Sequence, residues 1–283
     1  MNILDVYSKA TPGPQNTIDI FKGEWSSRLP GQLEAGGAAL FDDGRIKWAA
    51  EMVGQIAGKK VLELGPLKAG HTYMLEKMGA ASITSIEANS RAYLKCLLIK
   101  ELFQLKAAHF LYGDFVEYLR ANSQRFDICL ASGVLYHMRN LAELIQLISN
   151  VSDTAIIWTH YYDEEILAKR ADIWPKFSPG ESAEYAGFNH TLYHYEYLTA
   201  LNWQGFCGGS AEFSNWMSRE DILNCLKHFG LKNIQIGLED RQHPNGPCFT
   251  LVASRLNKLP EVNWLTAGRA KFQRLAARLK KKV

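Results

Sequence analysis

The chain has 283 residues and little of what marks a membrane, secreted or fibrous protein. No apolar run approaches the roughly 18–20 residues that a membrane-spanning helix needs. The first residues, MNILDVYSKATPGPQ, lack the basic and apolar segments of a secretory leader. Cysteine is scarce: Cys96, Cys129, Cys207, Cys225 and Cys248 are odd in number, widely spaced and without a C-x-x-C pair. That supports neither a disulfide framework nor a zinc knuckle. Reduced thiols and a cytoplasmic location are the expectation. The 22 glycines and 9 prolines follow no period, which excludes a collagen-like repeat. Apolar residues make up 47% of the chain, too many for a disordered one. The length supports one large domain or two small ones.

Acid is missing from one segment only. Residues 264–283 carry seven basic side chains and no Asp or Glu, while the whole chain has a net charge of just +3. The body is therefore mildly acidic, net −4, and lacks the general basic character of a nucleic-acid binder. Within the tail, Trp264, Leu265, Phe272, Leu275, Ala276 and Leu279 fall partly at helical spacing. Two readings stand for residues 256–283: a solvated helix, or a peripheral contact with anionic lipid or RNA.

Residues 1–44, with three prolines and six glycines, read as a loop-rich N-terminal arm with a short helix near Thr17–Phe21. Apolar spacing predicts a helix over Arg45–Ala57, ended by Gly58. Strands and helices then alternate. Strands are expected at Lys60–Leu64, Ser82–Glu87, Ala107–Tyr112, Phe126–Ala131 and Thr154–Thr159. Helices are expected at His71–Met78, Arg91–Leu105, Val116–Ala121 and Leu141–Ser149. Such alternation means a parallel sheet with helices on both faces. Residues 157–216 break the pattern and hold 14 of the 32 aromatics. This segment reads as an insertion covering the C-terminal edge of the sheet. A helix capped by Ser218 follows. Strands at Asn233–Leu238 and Cys248–Ala253 then form an antiparallel pair, with Asn245-Gly246 as a turn signal.

The chemistry gathers at strand ends. Val61-Leu62-Glu63-Leu64-Gly65-Pro66-Leu67-Lys68-Ala69-Gly70 runs from a strand through a glycine-containing turn into a helix. Such a turn admits a ligand close to the backbone and aims helix N–H groups at it. Glu87 ends the second strand, where a carboxylate can accept both hydroxyls of a ribose. Asp114 ends the third, where an acid can accept an adenine amino hydrogen beside the ring of Phe115. With Ala131–Gly133 of the fourth strand, these ends face one crevice, the ligand site of open α/β sheets.

The runs VLELGPLKAGHT, SIEANS, GDF and FDICLASGVLYH resemble class I S-adenosylmethionine-dependent methyltransferases. The likeness covers roughly Lys47–Thr159. It implies a Rossmann-like, mostly parallel seven-stranded α/β sheet with a closing antiparallel hairpin, extending to Ser254. It also implies S-adenosyl-L-methionine as cofactor, with S-adenosyl-L-homocysteine as product. The roles it carries over place Glu63, Gly65 and Gly70 at the methionine moiety, Glu87 at the ribose, and Asp114 with Phe115 at the adenine. Ser132 lies in the fourth-strand motif, where substrate and sulfonium meet. The family's glycine-x-glycine-x-glycine turn is here Gly65-Pro66-Leu67-Lys68-Ala69-Gly70, with glycine only at its first and last positions. Asp43-Gly44-Arg45-Ile46-Lys47-Trp48 and Gly133-Val134-Leu135-Tyr136-His137 give a narrower likeness, to bacterial tRNA wobble-uridine carboxymethyl transferases, which use a carboxylated cofactor. That likeness fades after Thr159.

The expected activity is therefore methyl transfer to a small polar acceptor, a sugar hydroxyl or an amine. The methyltransferase domain would span residues 45–255, with a lid at 160–216. His137 and His160 are the candidate proton acceptors, because imidazole titrates near neutrality. Tyr136, Tyr162, His190, Tyr193, His194, Asn215 and Trp216 are the candidate acceptor contacts. His190 and His194 have i, i+4 spacing, but no third ligand is evident, so no metal is expected. Two alternatives are tRNA modification and a non-catalytic S-adenosylmethionine-binding protein. Oligomeric state is open.

Overall fold

A computed structural model describes residues 7–203 and 208–255. The tail at 256–283, and with it the proposed lipid or RNA contact, lies outside the described residues. So do Phe206 and Cys207. No described helix is long and apolar enough to cross a membrane.

The predicted alternation is present. Strands β1 (Lys60–Leu64), β2 (Ser82–Glu87), β3 (Ala108–Tyr112), β4 (Ile128–Ser132) and β5 (Thr154–His160) pair in parallel, and β9 (Asn233–Asp240) and β10 (Cys248–Ser254) close the sheet. The strand order is β3-β2-β1-β4-β5-β10-β9, with β10 antiparallel to both neighbours. Because β1 lies between β2 and β4, the order in which strands are added reverses there, and a crevice opens at the C-terminal strand ends.

Period-two alternation sorts the side chains between two faces. Leu62, Leu64, Cys129, Ala131 and Ile157 pack with α5 (Phe115–Ala121), α6 (Leu141–Val151) and α8 (Arg219–His228). Val61, Ile83, Leu130 and Val252 point the other way, to α2 (Gly44–Val53) and α3 (Gly70–Lys77). Glu63 belongs to this second set by its register, and so faces α3 rather than solvent.

Several boundaries move for local reasons. Helix α2 ends at Val53, not at Gly58: Gly54 adopts φ +89° and donates its N–H to Ala50 O. Helix α4 (Ser90–Leu102) ends three residues early, with Gln104 at φ +52°. Phe126, read as strand, makes a lone bridge to Ser152.

The N-terminal arm is packed rather than loose. After α1 (Pro14–Asp19), the side chains of Ile18, Phe21, Trp25, Leu29 and Phe41 form a core with Cys96 and Ile99 of α4. Glu24 accepts from Arg91 and, at 2.7 Å, from Lys95 of the same helix. The Arg91 hydrogen bond, followed by that of Lys95, holds the Glu24 carboxyl at about 2 against the opposing effect of burial.

The aromatic segment forms a separate antiparallel sheet. Helix α7 (Glu164–Leu167) is followed by β6 (Glu181–Tyr185), β7 (Phe188–Glu196) and β8 (Phe213–Trp216), in the order β6-β7-β8. Its inner cluster is Tyr162, Leu167, Ile173 and Trp216. Asn215 ties it to the turn after β4: its N–H donates to Met138 O at 2.8 Å and its side-chain amide to Arg139 O at 2.7 Å. Arg170 ties it to the loop before β10, donating to Pro244 O at 2.6 Å.

One glycine reports how tightly α2 meets the sheet. A Cβ on Gly237 of β9 would overlap the indole of Trp48, which is 5% exposed. Gly237→Ala should therefore cost about 1–3 kcal/mol through overpacking. Urea unfolding should show a lower midpoint at unchanged slope, and an unaltered midpoint would show that Trp48 can move aside.

Candidate active site

The crevice floor is built from buried carboxylates. Glu63 is 2% exposed. It accepts hydrogen bonds from Thr72 of α3 and, at 2.8 Å, from Ser85 of β2. Burial raises its pKa, opposed by the nearby His71 and by both hydroxyls. This carboxylate joins β1, β2 and α3 beneath the turn. Glu87 stands at the end of β2, and its two oxygens accept from Leu67 N at 3.0 Å and Asn89 N at 2.9 Å. Burial raises its pKa too, against the backbone hydrogen bonds, with a smaller upward push from Glu63. Each carboxylate oxygen has a second lone pair, so Glu87 can hold the turn and still accept from a ligand.

The turn itself explains the missing glycines. Gly65 has φ +64°, and its Cβ would meet Val134 Cγ2 at 3.2 Å. Leu67 at φ +55° and Ala69 at φ +59° also occupy the left-handed region. The three positive-φ positions are thus 65, 67 and 69, the register of a glycine-x-glycine-x-glycine turn, so of its glycines only Gly65 is kept and Gly70, read as the last of them, lies one residue beyond. Gly70 serves another purpose. A Cβ there would lie 2.8 Å from Leu40 O, so its bare Cα admits the backbone of the N-terminal arm.

Asp114 is exposed and caps α5, accepting from Val116 N at 2.7 Å. Phe115 is half-buried against the α5–α6 core. Ser132 and Gly133 end β4, and Gly133 N donates to Trp158 O at 2.9 Å.

Beyond β4 lies a buried cluster of rings. His160, 2% exposed, lies 4.6 Å from the Tyr136 ring and 5.1 Å from Trp158, and stacks at 5.3 Å on Trp216. Its Nδ1 faces the carbonyls of Gly246 at 2.9 Å and Pro247 at 3.3 Å. A carbonyl only accepts, so Nδ1 carries the hydrogen and Nε2 a lone pair. Burial, then His243, lowers His160 to about 4, so it is neutral at pH 7. His137 is lowered to about 3, again chiefly by burial, and its Nδ1 lies 2.7 Å from Tyr197 Oη. Arg45 stands 4.4 Å over the Trp158 ring. Asp43 holds it there, accepting from Arg45 Nε at 3.0 Å and pairing with His71 at 2.9 Å. Both partners keep the Asp43 carboxyl well below its ordinary range, although burial is the largest influence and pushes upward.

The structure thus brings Tyr136, His137, His160 and Trp216 together. Tyr162 and Tyr193 stack on each other at 3.5 Å within the lid cluster, one layer further out. His190 and His194 lie elsewhere. His190 packs on Phe188 at 5.2 Å, and His194 on Phe213 at 4.1 Å. Both sit on strand β7, where four residues span about 13 Å, so the pair cannot share an ion. Asn215 is spent on the backbone contacts already described.

Sequence reading passed over Arg45, Trp158, His243 and Cys248. Arg45 stood in view in the Asp43–Trp48 run. His243 and Cys248 flank the Asn245-Gly246 turn, whose N–H at Gly246 donates to His243 O at 3.0 Å. That turn signal marked a fold-back without marking what it carries.

The fold is that of S-adenosylmethionine-dependent methyltransferases. The N-terminal domain of EvdMO1, solved in the presence of SAH and D-fucose, superposes with a TM-score of 0.63 at 19% identity, covering 85% of this chain and 94% of that one. An S-adenosylmethionine-dependent methyltransferase from Mesorhizobium loti gives 0.52 at 12% identity, covering 77% and 100%. No family model matches the chain. In sequence, a tRNA U34 carboxymethyltransferase of Colwellia psychrerythraea (strain 34H) is 29% identical over 200 residues, 64% of this chain. The match spans 59% of that relative's length.

Gly70→Ala should lower stability by about 1–3 kcal/mol, because the added methyl meets arm backbone that cannot rotate away. The same variant should become more open to limited proteolysis between residues 24 and 42. Equal stability and equal cleavage would show that the arm does not rest on Gly70.

Proposed function

We propose that the chain transfers a methyl group from S-adenosyl-L-methionine to a small polar acceptor, a sugar hydroxyl or an amine. One observation carries this reading. Glu87 at the end of β2 and the ring cluster of Tyr136, Trp158, His160 and Trp216, at and just beyond the ends of β4 and β5, lie along the same C-terminal edge of one sheet. The floor suits the cofactor: Glu87 and Asp114 would supply acceptors for ribose and adenine, and Gly65, at φ +64°, turns the chain there without a side chain. Bound there, the cofactor supplies an activated methyl on a good leaving group. The protein's task is then to align the acceptor and exclude water, which can contribute about 7–11 kcal/mol. Flat rings suit the CH faces of a sugar or the positive edge of an amine. The His160 lone pair offers the acceptor a hydrogen-bond partner at the methyl-facing side.

A second reading, transfer of a carboxymethyl group within tRNA, is favoured by Arg45. Its guanidinium stands beside Tyr136 and Trp158, where it would pair with a carboxylate on the sulfonium. The Colwellia relative is named for that chemistry.

Calorimetry separates the claims. Glu87→Ala should weaken S-adenosylmethionine binding at least tenfold, since a charged acceptor of two hydroxyls is worth about 1.5–3 kcal/mol per bond. An unchanged dissociation constant would remove Glu87 from the site. His160→Ala should bind cofactor as wild type does and turn over an acceptor at least tenfold more slowly; equal turnover would end its role.

Thermal shift compares the two cofactors. Wild type should be stabilised more by S-adenosylmethionine than by its carboxylated analogue, and Arg45→Ala should leave that order unchanged. A larger shift with the analogue, abolished in Arg45→Ala, would put carboxymethyl transfer first.

A further inference from the structure

The Nε2 lone pair of His160 does not stand alone. His243, in the turn before β10, and Cys248, the first residue of β10, converge on the same point. One donor atom from each of the three residues lies within 4.8 Å of the other two, and among the described residues this is the one such group of three. We infer that His160, His243 and Cys248 form a binding site for a divalent transition metal of the zinc class.

The backbone builds the triangle. Cys248 and His160 are direct partners in the antiparallel register of β10 and β5. Directly opposed residues have Cβ atoms about 4.5–5.5 Å apart, so their side chains rise together from one face. The His243–Gly246 turn then folds the third residue back over them, closed by Gly246 N to His243 O at 3.0 Å. Arg170 fixes that turn from the lid side through Pro244 O.

Ring spacing agrees with ligation. The His160 and His243 centroids are 5.0 Å apart with planes inclined at 57°. Two imidazoles bound at about 2.0–2.1 Å to one tetrahedral ion place their centroids about 5 Å apart. The far side of His160 agrees as well. A metal-bound histidine characteristically donates its other N–H to a carbonyl, which fixes both tautomer and orientation. His160 Nδ1 does this to Gly246 O at 2.9 Å and Pro247 O at 3.3 Å. Arg45, the nearby cation, is offset by its ion pair with Asp43.

Two imidazoles and a thiolate are a ligand set for zinc, cobalt or nickel, and too soft for magnesium or calcium. Three protein ligands leave one tetrahedral position open, as catalytic rather than structural zinc sites do. Tyr136 is a neighbour of the site, its ring 4.6 Å from that of His160. On the reading of this pocket as the acceptor site, the fourth ligand would be an acceptor oxygen. Metal binding itself does not depend on that reading. It releases one proton, from the Cys248 thiol, to solvent. For binding through Nε2, His243 moves its hydrogen to Nδ1 and gives up the 3.2 Å bond that Nδ1 accepts from Asn245 N.

Cobalt(II) gives the test without any assay of turnover. The full chain, stripped with EDTA, is titrated with cobalt chloride and then with zinc chloride. One equivalent of cobalt should produce the visible bands of a tetrahedral ion and a thiolate charge-transfer band in the near ultraviolet, both removed by zinc. Cys248→Ser should lose the charge-transfer band. His243→Ala should weaken binding by about tenfold or more. Both variants should keep the wild-type melting profile and S-adenosylmethionine affinity. A wild-type spectrum equal to that of free cobalt overturns the proposal, and so does a bound spectrum that neither substitution alters. If cobalt fails while the cofactor binds, the metal site alone is withdrawn. If the cofactor also fails to bind, the methyltransferase reading falls with its own test.

Discussion

The Asp43 carboxylate is the contact on which both halves of the site depend. It caps α2 through Arg45 N at 2.9 Å, grips the Arg45 guanidinium, and reaches His71 in the first turn of α3. Arg45 then lies over Trp158 at the ring cluster, and His71 lies near the buried Glu63 below the glycine turn. One side chain therefore links Arg45, over Trp158 of β5, to His71, near Glu63 of β1. Loss of its charge would leave a guanidinium and an imidazole competing for the same space without a shared partner. Breaking such a buried arrangement typically costs about 3–5 kcal/mol.

Burial does the remaining electrostatic work. His137 and His160 are held neutral, and Glu63 and Glu87 are pushed upward, by the same removal of water. The aromatic segment takes part in it, stacking Trp216 on His160. Its strands are anchored at two distant points, the turn after β4 through Asn215 and the loop before β10 through Arg170. Neither anchor is a residue with evident chemistry. Both hold backbone carbonyls, so they position the segment without competing for a ligand.

Much of this was legible in the residues. Period-two apolar runs located β1 and β2 to the residue, because a strand buried on both faces admits few substitutes. The acids at Glu63, Glu87 and Asp114 were visible because each lies within two residues of the end of its strand. What escaped was non-local. Nothing in residues 241–248 says that they fold over β5, since that depends on the register of β10 rather than on local spacing. His190 and His194, expected together at the acceptor, lie apart from the ring cluster because their segment is the strand β7 and not a helix. Gly70 looked like part of a ligand turn, and its neighbour proved to be Leu40, thirty residues upstream.

The left-handed Leu67 and Ala69 have a consequence for how the cofactor loop behaves before any ligand arrives. Glycine at these positions would let the unfolded and unliganded chain wander over a broad region of backbone space. A branched or methyl-bearing residue narrows that freedom, at a steric cost of roughly 1–2 kcal/mol for each left-handed position. The cost falls during folding, where the Glu87 bond to Leu67 N and the burial of Ala69 offset it. Ligand binding then meets a loop with little entropy left to lose. Affinity in such a site is governed by the contacts themselves, and the cofactor should associate with a conformation already in place.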